Sequence, residues 1–94
     1  MDTLIINLMD CINGTSTNKN GNLLYTLLKT ELESGKKIKL SLKDCTPMSS
    51  SFMNSAFGEL IDSLGYEKVK SSISLINYTP SMANKIKSYM EMVA

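Results

Sequence analysis

Three consecutive serines are the residues whose type and position suggest chemistry most directly. Ser49, Ser50 and Ser51 stand in "DCTPMSSSFMNSAFGEL" (44–60), just before an apolar pattern with helical spacing. A serine hydroxyl at a helix start accepts a hydrogen bond from a backbone N–H one turn on, and this contributes about 1 kcal/mol. An exposed hydroxyl there is also a substrate for phosphorylation, which adds about −1.5 to −2 charges. We therefore expect Ser49 or Ser50 to cap the helix, and the other two serines to be first-turn residues or phosphoacceptors.

The other polar residues give little support for catalysis or metal binding. The chain has two cysteines, Cys11 and Cys45, and no histidine that would activate a thiol or complete a zinc site. Asp10 and Asp44 could share a cation, but such residues more often cap turns or face solvent. The segment "GTSTNKNG" lacks the spacing of a phosphate-binding loop. We expect a protein without catalytic activity, metal or cofactor.

Composition limits the class of partner. A chain of 94 residues fits one domain, spanning 1–94, and 43% hydrophobic with 20% charged residues is ordinary for a globular protein. The net charge is +1 and all ten basic residues are lysines, which argues against nucleic-acid binding. The start "MDTLIINLMDC" has no basic leader, and its apolar run is too short for a membrane span. The expected location is the cytoplasm, with neither nucleic acid nor membrane as partner.

Three strands are predicted from apolar runs. Leu4 to Leu8 form a β-branched and aliphatic run typical of a short buried strand. "KKIKLSL" (36–42) alternates apolar and polar residues, which favours a strand with one wet face. "SSISLINY" (71–78) contains the third strand. Segment 13–22 has no apolar side chain and is predicted to be a surface loop.

Three helices are predicted from apolar residues at steps of three and four. The first covers about 21–34, and the second runs from Phe52 to a glycine stop at Gly65. The third begins at Pro80, with Thr79 as its N-cap. Its expected buried stripe consists of Ala83, Ile86, Met90 and Val93.

The order β-α-β-α-β-α indicates an α/β fold with a mainly parallel sheet of three to four strands packed with helices. Three strands make a thin sheet, so either segment 11–19 adds an irregular edge strand or a partner covers an edge. The loops 10–21, 43–50 and 77–81 should meet where the parallel strands end. We call this edge the rim; open α/β sheets usually bind ligands there.

"IKLSLKDCTPMSSSFMNSAFGELIDSLGYEKVKSSISLINYT" (38–79) resembles STAS-like domains, relatives of the anti-sigma factor antagonists and of the cytoplasmic tails of sulfate transporters. It is most similar to the bacterial STAS-like group of undefined function, in which a strand precedes a short turn, serines and phenylalanine, and then an "AFGEL"-type helix. The resemblance covers roughly 20–92. It implies a small STAS-like sandwich.

The resemblance also implies a regulatory protein-interaction module. In the antagonists, a partner kinase that is also the anti-sigma factor phosphorylates a serine at this helix start; the matching position is Ser50, with Ser49 and Ser51 as further candidates. An aspartate precedes that serine in the antagonists, and Lys19 stands near the position where members of the STAS-like group often carry arginine. The implied partner is a protein such as a histidine-kinase-like ATPase acting as a serine kinase. The expected partner contacts are Asp44, Thr46, Pro47, Met48, Ser49, Ser50, Phe52 and Met53.

Two other functions stay open at this point. The positive ends of the three helix dipoles make the rim attractive to anions, so the domain could bind a small anion or a nucleotide. The residues for this alternative are Lys19, Asn20, Gly21, Thr79 and Ser81. A structural subunit that self-assembles, for example as a homodimer, through a sheet edge or a methionine-bearing surface is the other alternative.

Overall fold

The computed structural model of the chain describes residues 3–12, 14–45 and 47–93. The strands are β1 (Thr3–Asn7), β2 (Lys37–Ser41) and β3 (Ile73–Ile76). The helices are α1 (Leu8–Cys11), α2 (Asn18–Glu33), α3 (Ser50–Met53), α4 (Glu59–Leu64), α5 (Tyr66–Ser72) and α6 (Pro80–Val93). A π-turn, Asn54–Gly58, joins α3 to α4 without a break, and we call the continuous segment 50–64 the central helix.

The strands form one parallel sheet in the order β1-β2-β3. Leu40 of β2 lies opposite Ile6 of β1 and Leu75 of β3. The predicted α/β class is confirmed, and the arrangement is compatible with a STAS-like sandwich. The prediction that segment 11–19 adds an edge strand is wrong for the described residues of that segment, because Cys11 ends α1 and Asn18 begins α2.

The two faces of the sheet differ in what covers them. On the inner face, Ile6, Ile38 and Leu40 are buried in the hydrophobic core. Right-handed crossovers that step twice in the same direction lie on one side of a sheet, so the order β1-β2-β3 leaves the outer face bare. Ile5 belongs to this face and is 66% exposed, which corrects its expected burial. The exposed residues of the outer face are Thr3, Ile5, Lys37, Lys39 and Ser74.

Buried residues of the central helix repeat every four positions, as Phe52–Met53, Ala56–Phe57 and Leu60–Ile61. Each residue of an α-helix turns the chain by about 100°, so a step of four overshoots one turn by about 40°. Two such steps would carry Leu60 about 80° away from Phe52. The π-turn closes a wider turn through i→i+5 bonds, and this keeps all three pairs on the core side.

Helix α2 meets the start of the central helix at Gly21. A Cβ placed on Gly21 would lie 2.6 Å from the carbonyl oxygen of Phe52 and 2.8 Å from Cβ of Ser55. Both distances are below van der Waals contact, so the hydrogen of glycine is what allows the two backbones to touch. The N–H of Gly21 donates to the carbonyl of Thr17 at 3.1 Å, inside the first turn of α2.

Helix α6 packs on the π-turn through Tyr89. The phenol donates to Oδ1 of Asn54 at 2.6 Å, and a Cβ on Gly58 would lie 2.6 Å from the phenol oxygen. Burial raises the pKa of Tyr89, with Glu59 adding to the shift, so the donor stays protonated. Of the predicted stripe, Ile86 is buried and Ala83 and Met90 are half-buried. Val93 is 38% exposed, which corrects its expected burial: Tyr89 makes the contact instead.

Several helix boundaries differ from those predicted. Helix α2 starts at Asn18 rather than 21, because the Thr17 hydroxyl accepts from the N–H of Asn20 at 3.2 Å and caps the polar turn. Residues 18–22 are therefore helix and not loop. Helices α1 and α5 are too short to show periodicity, although each buries one apolar residue, Leu8 and Val69. Their existence was missed for that reason.

The contact at Gly21 predicts a large effect for a small substitution. Gly21→Ala should lower the free energy of unfolding by about 1–3 kcal/mol, because the methyl group meets backbone atoms that cannot move aside independently. Asn22→Ala, one residue later on an exposed position, is the matched control and should stay within about 0.5 kcal/mol of the parent. Urea unfolding followed by circular dichroism measures both. Equal stability of the two variants would contradict the close contact.

Candidate functional site

Thr15 fixes the first rim loop against the second. Its carbonyl accepts from the N–H of Ser49 at 2.9 Å, and its hydroxyl donates to the carbonyl of Pro47 at 3.1 Å. The side chain of Thr15 is fully buried, and its bond to Pro47 is partly shielded from water, which strengthens it. The segment that precedes α2 and the segment that precedes the central helix are therefore locked together.

The third rim loop is held by Asn77 and Lys85. Nδ2 of Asn77 donates to the hydroxyl of Ser41 at 2.9 Å, at the end of β2. Asn77 has φ 53°, a left-handed conformation that asparagine adopts more readily than most residues. The ammonium of Lys85 on α6 donates to the carbonyl of Met48. All three loops thus meet at the carboxyl ends of the strands, as the parallel order predicts.

The three serines have different environments. Ser49 is half-buried, and its Oγ accepts from the N–H of Phe52 at 3.1 Å, so Ser49 is the N-cap of the central helix. Ser50 and Ser51 occupy the first two helical positions and are exposed. One serine therefore stabilises the fold, and the two others present their hydroxyls at the positive end of the helix dipole.

The turn after β2 brings Asp44 and Cys45 to the rim. Asp44 is exposed and adopts φ 60°, while the N–H of Cys45 donates to the carbonyl of Leu42 at 3.1 Å. Burial raises the pKa of the Cys45 thiol, and the neighbouring Asp44 carboxylate adds to the shift. Cys11 is exposed, and both cysteines are free thiols. A raised pKa makes Cys45 a weaker nucleophile at neutral pH.

The residues expected to contact a partner are not all on the surface. Asp44, Pro47 and Ser50 are exposed and Ser49 is half-buried. Three others are buried in the core: Met48, Phe52 and Met53. Their apolar side chains are covered by the chain itself, which corrects their expected role as direct contacts and makes them the support beneath the rim. Thr46 lies outside the described residues.

The residues of the anion-site alternative fall into two separate groups. Thr79 caps α6 by accepting from the N–H of Met82 at 3.3 Å, and together with Ser81 it lines a groove of about 290 Å³ beside Lys85. Lys19, Asn20 and Gly21 do not line this groove. Nδ2 of Asn20 donates to the carbonyl of Gly14 at 3.2 Å, and the N–H of Gly21 is bonded within α2. The structure does not bring the two groups into one pocket.

The rim also lacks the geometry of a typical nucleotide crevice. In open α/β sheets, such crevices form where the strand order reverses and helices lie on opposite faces. The order β1-β2-β3 has no reversal, so the rim has no switch point of this kind.

Comparison with protein families adds an independent observation. A family model described as "STAS-like domain of unknown function" matches residues 20–83, about two thirds of the chain. The chain belongs to this family. The matched segment of this STAS-like domain includes α2, β2, the central helix, β3 and the start of α6. Comparisons with curated proteins and with solved structures found no match.

In 3–12, 14–45 and 47–93, no helix combines the length and apolar character needed to cross a bilayer. In the same residues, histidine, cysteine and acidic side chains do not gather in groups of three or more that could hold a metal ion.

Sequence reasoning missed Thr15, Asn77 and Lys85 as the residues that assemble the rim. Thr15 stands in a run of polar residues that reads as solvent-exposed loop, and nothing in that pattern indicates a fully buried side chain. Asn77 carried a usable signal, because asparagine directly after a strand is typical of a left-handed turn. The sequence around Lys85 gave no such signal, since its hydrogen-bond partner is the backbone carbonyl of Met48, 37 residues away.

The division among the serines can be tested by stability. Ser49→Ala removes the cap and should lower the free energy of unfolding by about 1 kcal/mol, or the melting temperature by about 4–8 °C. Ser50→Ala and Ser51→Ala are matched controls at exposed positions and should stay within about 0.5 kcal/mol of the parent. Differential scanning calorimetry measures all three. A loss at Ser50→Ala and none at Ser49→Ala would show that the cap is misassigned.

The two thiols should differ in reactivity. Iodoacetamide at pH 8 should modify exposed Cys11 faster than Cys45, whose burial and raised pKa both reduce the available thiolate. Because the folded state holds the Cys45 proton more tightly than the unfolded chain, the unfolding free energy should also fall as pH rises from the ordinary cysteine pKa through the raised one. Mass spectrometry of each cysteine gives the rates, with urea-unfolded protein as control. Equal rates in the folded protein would contradict the burial of Cys45.

Proposed function

We propose that this STAS-like domain is a non-catalytic regulatory module that binds a protein partner through the rim, next to the start of the central helix. The observation that carries the proposal is the pair of exposed hydroxyls, Ser50 and Ser51, placed beside a serine that already caps the helix. Neither of these two hydroxyls is the cap that starts the helix. They are therefore open to a role in recognition or modification.

The surroundings of the serines support a docking role. The hydrogen bonds of Thr15 and the contact of Lys85 with Met48 hold the loops in one arrangement, and a preformed surface costs less ordering on binding. The strand order β1-β2-β3, which has no reversal, favours a macromolecular partner at the rim over a nucleotide. The sequence has no histidine and no arginine, which removes the most common general base and the bidentate phosphate ligand.

Phosphorylation of Ser50 would act on the partner rather than on the fold. A phosphate at the first helical position lies near the positive end of the dipole, so the helix tolerates or gains from the charge. Ser49 keeps the cap in place. The added charge and bulk would then change the docking surface alone, which is the behaviour expected of a switch. A serine kinase of the histidine-kinase-like ATPase type, in the cytoplasm, is the partner that fits this proposal.

Substitution of the exposed serines tests the proposal. Ser50→Asp should reduce the amount of captured partner at least tenfold, as measured by quantitative mass spectrometry. The melting temperature of the variant should stay within about 3 °C of the parent. Ser88→Asp is the matched control, because it adds the same charge at an exposed helical position away from the central helix start. The capture uses the full chain as bait in extracts of cells that express it naturally.

The result is decisive when the three baits are compared. A protein retained by the parent and by Ser88→Asp but lost with Ser50→Asp supports docking at the rim. If the same proteins bind all three baits equally, the rim is not the docking surface. Phosphosite mapping of the native protein then tests the switch separately from docking. If phosphate is found only on serines outside 49–51, Ser50 is not the acceptor.

A further inference from the structure

A second surface feature lies on the inner face of the sheet, where Ile73 and Leu75 pair in register with Ile38 and Leu40. It is an open groove of about 310 Å³ between α5, β3 and α6. Helix α6 contacts the π-turn through Tyr89, whereas α5 packs against β3. A gap therefore remains between α5 and α6, next to β3. Phe57 of the central helix also lines it. The volume is at the lower end of the range of small-molecule sites, about 300–1,000 Å³.

The walls of the groove are mainly aliphatic. Val69, Ile73 and Leu75 line one side, and Ile86 and Met90 of α6 line the other. Ile73, Leu75 and Met90 are each only half-buried, so apolar surface remains in contact with water. Displacing this water by an alkyl chain is favourable by about 0.8 kcal/mol for each buried methylene.

Two lysines complete the lining, and no carboxylate does. Lys70 of α5 holds its ammonium 5.7 Å from the centroid of the Tyr66 ring, which also lines the groove. Lys87 of α6 lies on the other side and is exposed. Among the described residues the ion pair is Lys36–Glu31, and no carboxylate of these residues lies within ion-pair distance of either groove lysine. The groove therefore carries two lysine ammonium groups next to apolar walls, with Glu67 and Glu91 about one turn away on the same helices and not in the lining.

We propose that the groove between α5, β3 and α6 binds an anionic amphiphile, a linear alkyl chain ending in a single carboxylate. The chain lies against Val69, Leu75 and Ile86, and the carboxylate interacts with the ammonium groups of Lys70 and Lys87. Charge complementarity selects an anion over a neutral or cationic amphiphile. Tyr78 of the third rim loop also lines the groove, so the site adjoins the rim, but Ser50 and Ser51 do not line it and the proposal does not rest on the docking function.

Matched alkyl probes test both parts of the proposal. Isothermal titration with decanoate should show saturable binding, and affinity should rise by about fourfold for each methylene from hexanoate to decanoate. Decanol and decyltrimethylammonium have the same chain, and should bind about tenfold more weakly or worse because they lack the anionic group. The methyl signals of Ile73, Leu75 and Ile86 should shift in NMR spectra on addition of decanoate.

Variants locate the site. Lys70→Met with Lys87→Met should reduce decanoate affinity to that of decanol, whereas Lys68→Met, on the same helix but outside the groove, should leave it unchanged. Ala83→Phe should fill the groove and abolish binding. The lysine variants are exposed, so the test does not depend on whether Ala83→Phe folds.

Three results would overturn the proposal. The first is the absence of saturable decanoate binding by the parent protein. The second is equal affinity for decanoate and decanol together with no effect of the lysine variants. The third is a dimer by light scattering that Ala83→Phe converts to a monomer, since the groove would then belong to a second copy of the chain.

Discussion

The contact between α2 and the central helix at Gly21 is the constraint on which the site depends. Because a hydrogen replaces a side chain there, the two backbones approach closely enough for Thr15 to reach both Pro47 and Ser49. The caps of the two helices, Thr17 and Ser49, therefore lie near each other at the same end of the domain. A wider helix–helix distance would break the hydrogen bonds of Thr15 and separate the loops that form the rim.

The sequence predicts those helices and strands that have one solvent-exposed face and one buried face. Alternation in β2 and the apolar steps of the central helix give the correct elements because Lys37 and Lys39 point to water and Phe52 and Leu60 to the core. The parallel order also predicts that the three loops share an edge. Family resemblance placed the chain among STAS-like domains, which the family comparison confirms over 20–83.

The rest depends on contacts between residues far apart in the chain, which local patterns do not encode. Phe52 and Met53 were expected to meet a partner because they follow the serines, but the Gly21 contact draws this turn inward and buries both. The same holds for Met48, whose side chain is buried while its carbonyl accepts from Lys85. Proximity in sequence to an exposed serine is therefore a poor guide to exposure at the start of a packed helix.

The π-turn within the central helix accommodates one residue more than an ordinary α-helix would hold between α3 and α4. Deleting one residue from 54–58 would leave an ordinary α-helix in which Leu60 follows Phe52 by seven residues, and seven steps of about 100° end about 20° short of two full turns. Leu60 and Ile61 would therefore stay on the core side, whereas the widened turn that carries Asn54 and Gly58, which Tyr89 of α6 contacts, would be lost. The extra residue therefore shapes the surface that α6 contacts, without changing which side of the central helix faces the core.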